Sequence, residues 1–79
     1  MNREEIYNKL ERVFKDVFDD EEIVIKDNTI SSDIEGWDSL EHINLIVAIE
    51  KEFGIKFNMS EVTSMHNVGE MVDIIISRI

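Results

Sequence analysis

Apolar residues recur at helical spacing in several stretches of this chain, and the spacing predicts where its helices lie. In residues 2–18 the apolar positions fall on one face of a helix: Ile6, Leu10, Val13, Phe14 and Val17. Residues 67–79 repeat this pattern with Val68, Met71, Val72, Ile75, Ile76 and Ile79. Residues 58–65 hold only a short apolar set, so we predict a brief helix there.

The predicted helices share one start signal, an Asn or Asp followed three residues later by Glu. It occurs at Asn2 and Glu5, Asp38 and Glu41, Asn58 and Glu61, and Asn67 and Glu70. In such a capping box the first side chain accepts from a free amide of the first turn, and the Glu reaches back. Gly54 is placed to end the second helix. With 79 residues, the chain is predicted to form one all-α domain, residues 1–79, a four-helix bundle with three longer helices and a short third one.

A long connection separates the first two helices, from Phe18 to Asp38. Loops of this length are unusual in compact domains and are often functional. We expect its apolar residues to pin it to the bundle: Ile23, Ile25, Ile30, Ile34 and Trp37. A short strand at residues 23–25 is a further possibility, although no obvious partner strand exists.

The second helix is apolar on more than one side. Its core-facing side holds Leu45, Ile46, Ile49 and Phe53, and the nearly opposite side holds Leu40, Ile43 and Val47. One stripe is enough to join a bundle. The second stripe is therefore either covered by the long connection or exposed as a docking strip, flanked by Glu35, Asp38, Glu41 and Glu50.

The charge narrows the kind of partner. The chain carries 18 acidic and 8 basic residues, a net charge of -10, and residues 35–54 hold five acids against Lys51 alone. Such a surface disfavours nucleic acid and anionic membranes and favours a basic protein patch. No cysteine is present, which excludes disulfides and thiolate zinc sites, and two isolated histidines make no metal site. No apolar run is long enough for a membrane span and no signal peptide opens the chain, so we expect a cytoplasmic monomer.

Ser39 follows the predicted N-cap Asp38, so its hydroxyl should face solvent at the first helical position. A phosphodiester there would meet free amides and the positive end of the helix. The segment Gly36–Leu40, continued by Leu45–Ile55, resembles the phosphopantetheine attachment segment of acyl carrier proteins. The length, acidity and helical layout are similar along the whole chain.

This resemblance implies that Ser39 carries 4′-phosphopantetheine, transferred from coenzyme A by a magnesium-dependent holo-carrier synthase, a phosphopantetheinyl transferase. The arm would carry acyl groups as thioesters, so the chain would be a carrier and not an enzyme. Asp38 would help to position the metal-bound coenzyme, and acids beside it would face basic patches on the synthase and on acyl-loading and acyl-transfer enzymes. The partner surface implied is Glu35, Leu40, Glu41, Ile43, Val47 and Glu50.

Some residues depart from the commonest carrier pattern. Asn44 stands where an acid is usual, Lys56–Met59 replaces a more acidic or proline-containing stretch, and Trp37 precedes the motif. These differences suggest a specialised carrier for a lipid, polyketide or related pathway.

Two other functions stay open, a peptidyl or aminoacyl carrier and a small acidic adaptor without a prosthetic group. A hydrolase of the Gly-Asp-Ser-Leu type is disfavoured, because Trp37 interrupts that motif and no Asp-x-x-His pair follows. His42 is expected to be packed or partly exposed, and His66 to lie in a surface loop.

Overall fold

Four α-helices form the molecule, as the apolar spacing predicts. The computed structural model describes residues 1–79, with α1 at Arg3–Phe18, α2 at Ser39–Phe53, α3 at Met59–Ser64 and α4 at Val68–Arg78. The possible strand at residues 23–25 is wrong, and a 3₁₀ turn at Ser31–Asp33 is the one regular element between α1 and α2. None of the helices is both long enough and apolar enough to cross a bilayer.

All four predicted start signals are N-caps. The side chains of Asn2, Asp38, Asn58 and Asn67 each accept a hydrogen bond from the backbone amide three residues later. The return bond from Glu is made at α1 and α3 only. At α2 and α4 the Glu carboxylates accept from Asn44 and His66 instead. The predicted bond from the N-cap backbone N–H to the Glu side chain is therefore wrong at these two helices.

Two helices end in the left-handed conformation. Gly54 closes α2 with φ of 66°, as predicted, and its N–H donates to the Glu50 carbonyl. Asp19 closes α1 with φ of 50°, and its N–H donates to the Lys15 carbonyl. Asp is one of the few residues besides Gly that adopt this conformation readily, since its short side chain can hydrogen-bond locally.

One apolar core joins the helices and the long connection. Its 15 buried residues are Ile6, Leu10, Val13, Phe14, Ile23, Ile25, Ile34, Leu45, Ile46, Ile49, Ile55, Val68, Met71, Val72 and Ile75. Ile76 lies about 100° around α4 from Ile75 and is exposed, and Ile79 is exposed beyond the helix end. The predicted apolar face of α4 is therefore narrower than its sequence suggests.

Four of the five predicted anchors of the connection pack in or against the core. Ile23, Ile25 and Ile34 are buried, and Trp37 is half-buried. Ile30 is exposed, which corrects the prediction. Its backbone N–H donates to the Asp33 carboxylate at the start of the 3₁₀ turn, and its side chain remains in solvent.

The start of α4 holds the middle of the connection by backbone hydrogen bonds. The N–H of Val68 donates to the Thr29 carbonyl and the N–H of Gly69 to the Asp27 carbonyl, each at 2.9 Å. A Cβ on Gly69 would lie 3.0 Å from the Asp27 carbonyl oxygen. The connection therefore passes so close to α4 that any larger residue at this position would have to displace the Asp27 carbonyl.

An exposed polar cluster joins α1, the connection and α4. Arg3 bridges Asp27 and Asp73 at 2.9 and 3.0 Å, and the Tyr7 hydroxyl donates to Asp27. The bonds from Tyr7 and Arg3 hold the pKa of Asp27 below its ordinary value. The pKa of Tyr7 is raised to about 12, mainly because the residue is partly buried and secondly because its hydroxyl donates to Asp27. These groups fasten the connection to α1 and α4.

Candidate attachment site at the start of α2

A tight turn directs the chain into α2. Gly36 has φ of 89°, a conformation that glycine adopts without steric cost. The Trp37 N–H donates to the Ile34 carbonyl and the Asp38 N–H to the Gly36 carbonyl. These bonds place Asp38 as the N-cap and Ser39 at the first helical position, where its side chain is exposed as predicted.

The first two backbone amides of α2 have no acceptor within the protein. Asp38 receives the N–H of Glu41 on its carboxylate and the N–H of His42 on its carbonyl, both at 2.8 Å. The N–H groups of Ser39 and Leu40 make no hydrogen bond. The second carboxylate oxygen of Asp38 is also unpaired. The start of α2 therefore offers two donors and a positive helix end beside an exposed hydroxyl, a combination that suits a phosphate ester.

A surface cavity of about 570 Å³ opens beside Ser39. Its apolar lining is Trp37, Ile43, Val62, Met65 and Met71, and its polar lining includes Ser31, Asp38, His42, Thr63, His66 and Asn67. A group attached to Ser39 would find both apolar surface and hydrogen-bonding side chains within this space.

Trp37 and His42 join three segments at the wall of the cavity. The indole Nε1–H of Trp37 donates to His42 Nδ1 at 3.1 Å, and His42 Nε2 lies 3.0 Å from the Val62 carbonyl oxygen on α3. Trp37 also packs edge-on against the buried Phe14, with centroids 5.2 Å apart. His42 is half-buried, as expected, and His66 is exposed and contacts Glu70.

The second apolar stripe of α2 lies in solvent. Leu40, Ile43 and Val47 are 72%, 49% and 50% exposed, so the alternative in which the connection covers them is wrong. The connection is bound to the start of α4 instead. Met59 of α3 is also 73% exposed, an apolar surface that the spacing along α2 does not predict.

The acidic residues predicted to flank this stripe differ in how far hydrogen bonds within the protein engage their carboxylates. Glu35 is exposed and makes no hydrogen bond or ion pair. Glu41 is half-buried and accepts from the Asn44 side chain. Glu50 is half-buried and accepts from the backbone N–H of Phe57 at 2.8 Å, so one of its oxygens is used to hold the segment after α2. Glu35 therefore presents the only wholly unpaired carboxylate of the set, and Asp38, Glu41 and Glu50 each keep one free oxygen.

An all-helical bundle that exposes a serine at a helix start, beside a cavity, defines a small domain suited to bearing an attached group. The family described as "Phosphopantetheine attachment site" matches residues 6–75. The chain therefore belongs to the phosphopantetheine-binding family of acyl carrier proteins, and the resemblance seen in its sequence is confirmed.

Its relatives match this chain over most of their own length. Proteins named acyl carrier protein from Coprothermobacter proteolyticus and Cyanidium caldarium are 31% and 32% identical over all of this chain, which spans 96% and 92% of theirs. The solution structure of holo acyl carrier protein from Geobacter metallireducens is 40% identical, with a TM-score of 0.85 over 91% of this chain and 83% of that one. The family and this holo neighbour indicate 4′-phosphopantetheine as the prosthetic group.

Proposed function

We propose that this chain is an acyl carrier whose Ser39 hydroxyl is the point of attachment for 4′-phosphopantetheine. The main support for this proposal is that the exposed Ser39 hydroxyl lies beside two backbone N–H groups, those of Ser39 and Leu40, that make no hydrogen bond. Ser39 is the only serine at the start of an α-helix that lines the cavity. When bound, the arm supplies a thiol that carries acyl groups as thioesters.

The chain's own residues have distinct tasks in this proposal. Asp38 holds the first turn of α2 through Glu41, which keeps Ser39 exposed, and its unpaired oxygen faces the synthase and its metal-bound coenzyme. The amides of Ser39 and Leu40 hold the phosphate of the ester. The Ser39 hydroxyl makes no hydrogen bond to a side chain of this chain, and we assign removal of its proton to the synthase.

The attachment is tested by mass. Incubating the full chain with coenzyme A and a broad phosphopantetheinyl transferase should add the mass of one arm to the wild type and none to Ser39→Ala. Ser60→Ala is the matched control, because Ser60 is also exposed in the first turn of a helix. Modification of Ser39→Ala, or no modification of the wild type by several transferases, would disprove the role of Ser39.

We further propose that partner enzymes dock on the exposed stripe of α2, here called the docking strip: Leu40, Ile43 and Val47 with Glu35, Glu41 and Glu50. The exposure of three large apolar side chains in a row supports this proposal, together with the unpaired carboxylate of Glu35 and the one free oxygen each of Glu41 and Glu50. Apolar contacts would supply affinity, and the acids would steer basic patches of the partners toward Ser39.

Charge reversal separates steering from contact. Glu35→Lys should lower kcat/KM of the transferase, and the loss should shrink at high salt because exposed charges are screened. Glu21→Lys, a change of equal charge at an exposed site in the connection, is the control. Equal losses for both variants would show that only net charge matters and that the docking strip has no special part. The acyl cargo itself would be read from the intact mass of the natively loaded protein.

A further inference from the structure

The hydrogen bonds of His42 define one protonation state. The indole N–H of Trp37 can only donate, so His42 Nδ1 must accept it with a free lone pair. The second nitrogen, Nε2, faces the carbonyl of Val62, which can only accept. The imidazole is therefore neutral, with its proton on Nε2.

The carbonyl bound by His42 needs an external donor. Val62 lies in the last turn of the six-residue helix α3, where carbonyls have no partner within the helix. No residue of α3 is fully buried, so its apolar contacts hold it only in part. Two polar connections supplement them, from His42 to Val62 and from Arg78 to Glu61.

Protonation of His42 would remove the acceptor of the hydrogen bond from Trp37. A protonated imidazole carries hydrogens on both nitrogens, so Nδ1–H would face the Trp37 N–H and two donors would meet. The bond to Val62 would persist, because imidazolium still donates from Nε2.

We propose that His42 is a positioning residue that fixes the cavity wall beside Ser39 by joining Trp37 to α3, and that its protonation releases Trp37. Trp37, at the end of the connection, is then bonded to His42 only while the imidazole is neutral, whereas α2 stays bonded to α3 in both states. Release of Trp37 loosens the wall on the side of Phe14 and leaves α3 attached. Any effect on a group carried by Ser39 rests on the proposed function, but the device itself belongs to the chain without its arm.

The charged surroundings of His42 come from several elements. Asp38 and His66 share the cavity with it. Glu41 on α2 is engaged by Asn44, and Glu61 on α3 is engaged by Arg78. The aromatic rings of α1 that contact Trp37, those of Phe14 and Phe18, are uncharged. His66 is the nearest competing titratable imidazole and is therefore the natural control.

The first experiment determines the tautomer in the full chain lacking the arm. Long-range nitrogen–proton NMR correlations at pH 8 should show His42 protonated at Nε2. Protonation at Nδ1 would overturn the proposal, because Trp37 would then have no acceptor.

The second experiment follows the indole N–H of Trp37, the only tryptophan. Between pH 8 and pH 5 its chemical shift should move with the His42 titration, and its protection from exchange relative to a free indole should fall about tenfold. In His42→Gln, a neutral amide can accept from Trp37 and donate to Val62, so the signal should be independent of pH. His66→Gln should behave like the wild type. A pH response that survives in His42→Gln or vanishes in His66→Gln would refute the assignment.

The third experiment tests the bond to α3. His42→Ala should speed amide exchange in α3 about fivefold, the factor expected for one lost hydrogen bond, while amides of α4 stay unchanged. His42→Gln should restore the protection of α3. Unchanged exchange of α3 in His42→Ala would show that His42 does not position it. All three measurements use the chain without its arm, so their outcome is independent of whether Ser39 is modified.

Discussion

Helices α2 and α4 begin with the same signal and use their first amides in opposite ways. Each has an N-cap side chain that accepts from the third amide of the helix. In α4 the first two amides, Val68 and Gly69, donate to the long connection. In α2 the equivalent amides, Ser39 and Leu40, donate to nothing in the protein. A capping signal therefore marks a helix start but does not determine whether its first amides bind the rest of the chain or stay free for a ligand.

The residues at these positions differ as their uses require. The first position holds buried Val68 in α4 and exposed Ser39 in α2. The second holds buried Gly69 in α4 and Leu40, 72% exposed, in α2. Substitutions at matched positions should therefore have unequal effects on stability.

The largest difference is expected at the first position. Val68→Ala should lower the free energy of unfolding by roughly 2 kcal/mol, because two buried methyl groups are lost and a cavity remains. Ser39→Ala should change it by less than about 0.5 kcal/mol, as is usual for exposed sites. Urea denaturation of both variants measures this. Comparable losses would contradict the description of the α2 start as structurally uncommitted.

A smaller difference is expected at the second position. Gly69→Ala should destabilise by about 1 kcal/mol, because the steric cost of the added methyl against the Asp27 carbonyl exceeds the gain in helix propensity. Leu40→Ala should stay within about 0.5 kcal/mol while weakening partner reactions. A stabilised Gly69→Ala variant would mean that the connection can move away from α4.

The smallest effect concerns the side chain that anchors the connection beside α4. The pKa of Asp27 is held below its ordinary value, so its carboxylate stabilises the fold above about pH 4, and this contribution is lost as the pH falls through the lowered pKa. Asp27→Asn should therefore lower the thermal midpoint at pH 7, and the difference from the wild type should shrink below pH 4. Asp16→Asn, at an exposed carboxylate of α1, is the control. A penalty that does not depend on pH would indicate lost packing rather than lost charge.

Local patterns were sufficient for most of the fold. The N-caps at Asn2, Asp38, Asn58 and Asn67 were predicted because a cap involves neighbours three residues apart. The exposed position of Ser39 followed from its place after Asp38. The family resemblance lay in the same short segment, so the candidate site was accessible from sequence as well.

What sequence reasoning missed depends on distant partners. The bonds from Val68 to Thr29 and from His42 to Val62 join residues whose proximity only the folded chain determines. The bond from the Phe57 N–H to Glu50 was also missed, because it forms only once the turn after α2 is in place. Ile30 is as apolar as the other anchors, yet its side chain is exposed where the chain enters the 3₁₀ turn. Burial and pairing at such positions are set by tertiary geometry rather than by local propensity.

The bonds between α4 and the connection have a consequence for the order of folding. Thr29 and Asp27 are bound by residues about 40 positions further along the chain. Closing a loop of that length costs entropy that only docked helices can offset. We therefore expect the connection to become ordered after α4 has docked, which makes the segment leading into Ser39 one of the last parts of the chain to reach its native path.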